Sequence, residues 1–125
     1  ELLRSWELFR NMRQHMFSIH PQEPIRSIVY AAREPNYSWN GRWLVPEHVD
    51  KVLEITRNYM TQYKRPESLV IFNGTWEGKQ ATFAQQHRLF NSAAVAFGPH
   101  GTGMSNVLWM PCRGRPAAVE FICSQ

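Results

Sequence analysis

The chain has 125 residues, 43% of them hydrophobic and 13% aromatic, with a formal net charge of +4. This composition excludes a disordered chain, and the length fits one domain with a buried core. The basic residues are scattered rather than gathered into a nucleic-acid-binding arm, and no apolar run is long enough to span a bilayer. We therefore expect no nucleic-acid partner, and a membrane contact only through a segment absent from this chain.

Helices and strands alternate along the chain. Apolar residues at helical spacing from Leu2 to Met16 predict the first helix, and Pro46 suits the first position of the second. Thr82, with Gln85 three residues later, forms a capping box that opens a third helix. In order, the predicted elements are a helix at 2–16, a strand at 27–32, a helix at 46–63, a strand at 69–72, a helix from Thr82, a strand from Ala93, a short helix to Met110 and a strand at 117–122.

The strands show no polar alternation and are separated by helices. Such strands predict a parallel sheet covered on both faces, and right-handed crossovers then make it a doubly wound, Rossmann-like α/β domain. Ligands of these sheets bind beyond the carboxyl ends of the strands. Arg33 follows the first strand, His100 follows the third and Glu120 lies near the end of the fourth. We therefore expect these three residues to lie at the ligand-binding edge of the sheet.

A glycine-rich loop follows the third strand. Its Gly98, Gly101 and Gly103 are spaced Gly-x-x-Gly-x-Gly, which matches neither the dinucleotide fingerprint nor the Walker A loop. A strand, a glycine loop and a helix together present backbone N–H groups and a helix N-terminus to an anion. His100 adds a side chain that donates, accepts or carries charge near neutral pH. The other interpretation is a tight strand-to-helix connection without a ligand.

Several segments together resemble family 61 glycosyltransferases. The most specific is the block Gly98–Asn106 around His100, and the weaker ones precede or follow it. The segments that carry the resemblance are residues 30–33, 42–47, 82–86, 98–106, 108–111 and 119–120. The chain departs from the usual family pattern at Trp43, Pro46, Gln85 and Ala94, and Gln85 stands where a glutamate is common.

The resemblance implies a GT-B glycosyltransferase, of which residues 1–125 are a single partial domain. This domain would be the C-terminal, nucleotide-sugar-binding half, with the N-terminal half absent. The implied activity is transfer of GlcNAc, xylose or arabinose from a UDP-sugar to a hydroxyl of a glycan or glycoprotein, with inversion. No cofactor or metal is implied. The implied location is the lumen of the Golgi or endoplasmic reticulum, as a type II membrane protein or a lumenal enzyme, with which the sequons at Asn36 and Asn73 are compatible.

The donor-binding residues follow from the chemistry of the leaving group. Gly101, Thr102 and Gly103 supply backbone N–H groups, and Arg33 and Arg42 supply guanidinium groups for phosphate oxygens. The other interpretation of each arginine is a surface salt bridge.

The remaining candidates are polar side chains around the same loop. His100 contacts a phosphate or the sugar, or it pins the loop to backbone carbonyls. Ser105 and Asn106 contact phosphate or cap the helix. Glu120 binds ribose hydroxyls or forms an ion pair with Arg113 or Arg115. Separately, the loop residues Trp39 and Trp76 are expected to contact the acceptor.

Two other functions stay open at the level of sequence. One is a non-catalytic, Rossmann-like module that binds a nucleotide or a protein partner, which the loss of charge at Gln85 favours. The other is an unrelated domain that binds NAD or a phosphorylated metabolite. No residue of the chain is assigned as the general base.

Overall fold

The computed structural model describes residues 2–19, 22–33 and 43–122. These residues form three α-helices, six strands and one 3-10 helix. The elements are α1 (Leu2–Ile19), β1 (Ser27–Ala31), α2 (Pro46–Gln62), β2 (Ser68–Phe72), β3 (Thr75–Trp76), β4 (Lys79–Gln80), α3 (Phe83–Asn91), β5 (Ala93–Pro99), the 3-10 helix (Met104–Trp109) and β6 (Ala117–Phe121).

The main sheet has four parallel strands in the order β2-β1-β5-β6. The chain first adds β2 on one side of β1, then returns and adds β5 on the other side. The strand order therefore reverses between β1 and β5, which makes the crevice at their carboxyl ends a topological switch point. The sheet confirms the predicted doubly wound, Rossmann-like α/β class.

Side chains of β1 alternate between two apolar layers. Val29 and Ala31 belong to the layer that includes Phe90 of α3 and Trp109 of the 3-10 helix. Ile28 and Tyr30 face the other layer, with Leu53 of α2. Burial of a large apolar side chain is worth about 1.5–3 kcal/mol, so both layers hold the sheet in place. Burial also raises the pKa of the Tyr30 phenol.

Close contact between β1 and β5 requires a glycine. A Cβ atom on Gly98 would collide with the backbone carbonyl of Ala31. Because the obstacle is backbone in the central strand, it has no room to move aside. Gly98 therefore lets the ends of the two central strands approach each other below the cleft.

Helix α3 begins as the sequence predicts. The Thr82 N–H donates to Gln85 Oε1 at 2.9 Å, and the Gln85 N–H donates to Thr82 Oγ1 at 3.3 Å. This reciprocal capping box satisfies two of the N–H groups that every helix start leaves without an intrahelical acceptor.

Three predictions for the elements are wrong. The loop predicted after β2 contains the antiparallel hairpin β3–β4. The helix predicted up to Met110 is a six-residue 3-10 helix. The apolar face predicted for α1 is packed mainly at its C-terminal end, where Met16 joins the core, whereas Trp6 is 62% exposed.

None of the described helices combines the length and the apolar character that crossing a membrane requires.

Candidate functional site

A cleft of about 460 Å³ opens at the carboxyl ends of β1, β2 and β5. Its walls come from the ends of these three strands, the segments that directly follow them, β4 and α3. The lining residues are Ala31, Ala32, Arg33, Phe72, Asn73, Gly74, Gln80, Gln86, Pro99, Gly101, Thr102 and Gly103. This is the position at which open parallel sheets bind their ligands.

The cleft is lined by donors suited to an anion. Arg33 is the one charged side chain among its described lining residues, and Arg33 forms no ion pair within the described part of the chain. The N–H groups of Gly101, Thr102 and Gly103 have no hydrogen-bond acceptor among the described residues. A guanidinium and adjacent free N–H groups form a concave donor surface, which is typical of phosphate sites.

Hydrogen bonds from both neighbouring strands fix the glycine loop. The His100 N–H donates to the Phe121 carbonyl at 3.0 Å, and Arg33 Nη1 donates to the His100 carbonyl at 2.9 Å. A Cβ on Gly101 would occupy the position of Arg33 Nη1. Gly101 thus lets the guanidinium lie directly against the loop.

The helix predicted after the loop does not present free N–H groups. The N–H groups of Met104, Ser105 and Asn106 donate to the carbonyls of Gly101, Thr102 and Gly103, at 3.0, 3.1 and 3.4 Å respectively. These bonds close 3-10 turns, which leave a short helix with little dipole. The candidate anion-binding groups of this segment are therefore those of the loop that precedes the helix.

His100 and Glu120 form a side-chain pair beside the glycine loop. Neither is among the residues that line the cleft, although Pro99 and Gly101, which flank His100, are. His100 Nδ1 lies 2.8 Å from Glu120 Oε1, and both side chains are partly exposed. The partner of Glu120 is therefore His100, and the alternative ion pair with Arg113 or Arg115 is wrong. Arg113 instead donates to Gln22 Oε1 at 2.9 Å. The predicted ribose contact of Glu120 and ligand contact of His100 stay predictions.

Asn106 supports the loop from inside the protein. Its buried Nδ2 donates to Gln86 Oε1 at 3.0 Å and to the Gly103 carbonyl at 3.3 Å. The predicted cap is wrong because the N-cap is Gly103, and no side chain caps the 3-10 helix there. Ser105 is exposed and is not among the residues that line the cleft.

Among the lining residues that were not predicted as site residues are Asn73, Gly74, Gln80 and Gln86. Asn73 and Gly74 directly follow β2, so the carboxyl-end rule already pointed to them. Asn73 Oδ1 accepts hydrogen bonds from the N–H and the hydroxyl of Thr75, which shape the turn into the hairpin. Gln80 comes from β4, an element that the sequence analysis did not predict.

Other predicted contacts lie elsewhere or outside the described residues. Arg42 and Trp39 are among the residues that the structure leaves undescribed. Trp76 lines a separate cavity at the amino ends of β1 and β2, away from the cleft. The two arginines of that cavity, Arg26 and Arg88, both pair with Glu23. Over residues 2–19, 22–33 and 43–122, no three histidine, cysteine or acidic side chains cluster as metal ligands.

Comparison with protein families identifies the chain. The family model described as Glycosyltransferase 61 matches residues 5–115, which include the cleft and its loop. No curated protein and no solved structure gives a significant match. The family match covers most of the chain and confirms the resemblance that the glycine loop indicates. The chain therefore belongs to glycosyltransferase family 61.

Proposed function

We propose that the cleft binds the diphosphate of a UDP-sugar and that the chain is the donor-binding half of a GT-B enzyme. The observation that carries this proposal is that one cleft at the switch point is lined by Arg33 and by Gly101, Thr102 and Gly103, whose N–H groups have no acceptor among the described residues. A glycosyltransferase needs such donors because its leaving group gains negative charge as the glycosidic bond breaks.

The reaction that fits this site is inverting transfer to a hydroxyl of a glycan or glycoprotein. The acceptor oxygen forms a bond to the anomeric carbon while the bond from that carbon to the diphosphate oxygen breaks. The UDP leaves with the bonding electrons, and a base takes the hydroxyl proton. In this proposal Arg33 and the loop stabilise the departing diphosphate without a metal ion, and the general base belongs to the other half of the enzyme.

The donor sugar is GlcNAc, xylose or arabinose in this proposal, as the family resemblance implies. The same resemblance supports a place in the lumen of the Golgi or endoplasmic reticulum. The sequon Asn73-Gly74-Thr75 is compatible with that compartment.

The structure removes one argument for a non-catalytic module. Gln85 departs from the family pattern by losing a charge, but its side chain accepts the Thr82 N–H at the start of α3. A neutral amide oxygen serves this role as well as a carboxylate does. Gln85 is therefore explained by helix capping and does not indicate a lost catalytic group.

Ligand-observed NMR tests the proposal with UDP, UDP-GlcNAc, UDP-xylose, GDP, CMP and NAD against the purified chain. We expect selective signals from the uridine ligands that weaken in the Arg33→Ala variant. A preference for NAD would identify an unrelated dinucleotide site. Sugar transfer to a glycan acceptor by the intact enzyme, abolished by the same substitution, then tests catalysis separately from binding.

A further inference from the structure

Glu120 places a carboxylate beside a loop whose other polar groups are mostly hydrogen-bond donors. A carboxylate near an anion site repels the ligand unless another group stands between them. His100 is the group that Glu120 contacts: its Nδ1 lies 2.8 Å from Glu120 Oε1, and its backbone directly precedes the cleft residue Gly101. The role of Glu120 therefore depends on its contact with His100.

Three contacts, one with a backbone carbonyl and two with side chains, hold His100. Its N–H donates to Phe121, its carbonyl accepts from Arg33, and its ring contacts Glu120. Glu120 of β6 lies in register with Gly98 of β5, and Gly98 comes two residues before His100. The backbone and one ring nitrogen of His100 thus each have a hydrogen-bond partner on β6.

The contact with Glu120 also decides which ring nitrogen carries hydrogen. An ionised carboxylate only accepts hydrogen bonds, so Nδ1 must be the donor. Nε2 then has either a lone pair or a second proton. Among the described residues Nε2 has no hydrogen-bond partner, and the side chain is 52% exposed.

We propose that Glu120 is a positioning residue. It holds His100, which lies between the cleft residues Pro99 and Gly101, in the Nδ1–H tautomer, so that Nε2 is the ring nitrogen left to meet the ligand. The identity of that ligand, a nucleoside diphosphate, rests on the proposed function. Glu120 then acts on the ligand through His100.

Nitrogen-15 NMR of the histidine rings tests the tautomer directly. At a pH at which the ring is neutral, we expect the His100 signals of the Nδ1–H form, whereas free imidazole side chains favour Nε2–H. His48 is exposed on α2 and serves as the internal reference. Glu120→Ala should return His100 to the ordinary preference, and Glu120→Gln should retain Nδ1–H because the amide oxygen still accepts.

The matched control is Glu54→Gln, which removes the same charge from the exposed pair with Lys51 on α2. It should leave His100 unchanged. Amide spectra of every variant show whether the fold is intact. An Nε2–H tautomer in the wild-type chain, or an unchanged Nδ1–H tautomer in a folded Glu120→Ala variant, would overturn the proposal.

A titration with UDP then tests whether Nε2 of His100 is the nitrogen that meets the ligand. UDP should shift the His100 Nε2 resonance, and Glu120→Ala should weaken binding about tenfold relative to the wild type and Glu120→Gln. Binding of UDP without any change at His100, or with equal affinity in Glu120→Ala, would contradict the assignment of Nε2. No binding of UDP to the wild type contradicts the proposed function, while the tautomer result still decides the role of Glu120.

Discussion

Arg33 has two roles in the geometry of the cleft. Its guanidinium holds the His100 carbonyl and at the same time lines the cleft as the one charged side chain among the described lining residues. A planar guanidinium has five N–H donors, so one bond to a carbonyl leaves others for phosphate oxygens. The loop and the charge that its ligand needs are therefore positioned by the same side chain.

Replacing Arg33 should weaken UDP binding more than it affects folding. Arg33→Ala removes a charge-assisted hydrogen bond to phosphate, so the affinity for UDP should fall about tenfold. Arg33→Lys should keep only part of the wild-type affinity, because lysine lacks the planar, forked donors of a guanidinium. Calorimetric titration with UDP measures both. Arg57→Ala, at an exposed position on α2, is the matched control. An equal loss in both alanine variants would mean that Arg33 contributes only general charge.

Gly101 and Gly103 differ in what a methyl group would meet. A Cβ on Gly101 would displace the Arg33 guanidinium, whereas a Cβ on Gly103 would lie 3.6 Å from the Ala31 side chain, an ordinary contact. Because a guanidinium at the end of a flexible side chain can move, Gly101→Ala should keep most of the stability but weaken UDP binding severalfold. Gly103→Ala should affect neither strongly. Thermal unfolding and UDP titration of the two variants measure this difference, and identical binding by both would contradict it.

The buried Tyr30 should make the stability of the folded protein fall at high pH. Burial raises the pKa of its phenol, so the neutral form is favoured in the folded state. The resulting stability is fully present below the ordinary tyrosine pKa of about 10 and is lost as pH rises through the higher folded value. Between about pH 9 and pH 11, the free energy of unfolding measured with denaturant should fall less for Tyr30→Phe than for the wild type. The exposed control Tyr59→Phe should lose as much as the wild type, and an equal loss in the Tyr30 variant would contradict this account.

At the scale of elements, α3 connects the core to the glycine loop. Its residue Gln86 accepts from Asn106 and donates from Nε2 to the Ala81 carbonyl at 3.1 Å. The start of the helix therefore influences the geometry of the cleft, because Gln86 lies in its first turn and also lines the cleft. Capping of α3 serves the site as well as the stability of the fold.

Loss of the capping box should cost about 1 kcal/mol. Thr82→Ala removes the hydroxyl that accepts the Gln85 N–H, which lowers the free energy of unfolding by roughly that amount. Gln85→Glu retains an acceptor and adds a favourable charge at the helix start, so it should be neutral or slightly stabilising. Chemical denaturation compares the two variants. A Gln85→Glu variant as unstable as Thr82→Ala would show that the capping role does not explain this residue.

The 3-10 helix shows why one predicted helix was wrong in type. The apolar spacing from Met104 onward suits a helix, but Gly103 precedes it without a capping side chain, and Pro111 restricts Met110 to extended geometry. The segment between these limits is short, and tighter turns satisfy its N–H groups from the loop. The apolar spacing alone does not show that the loop carbonyls accept hydrogen bonds from the first N–H groups of this segment, so it could not predict a 3-10 helix.

At the scale of the molecule, the sequence predicted the fold class more completely than the site. Apolar strands separated by helices were sufficient for a doubly wound sheet, and the carboxyl-end rule placed Arg33, His100 and Glu120 together, as the hydrogen bonds confirm. The strand order was not predicted, because it depends on packing between distant segments. Without that order, Asn73 and Gln86 could not be assigned to the same cleft as the glycine loop.

The order β2-β1-β5-β6 also supports the cleft, rather than the cavity at the amino ends of β1 and β2, as the proposed donor site. The cleft lies at the carboxyl ends of the central strands, where Arg33 has no described ion-pair partner. The cavity at the amino ends of β1 and β2 has arginines already paired with Glu23. Topology and charge thus favour the same location for an anionic ligand.

The most direct test of this account is an amide NMR titration of the chain with UDP. We predict saturable shifts at Gly101, Thr102 and Gly103, with smaller ones at Asn73 and Gly74 across the cleft. The amides of the cavity at the amino ends should not respond. Shifts confined to that cavity, or no shifts in the glycine loop when UDP binds, would contradict the assignment of the cleft as the donor site.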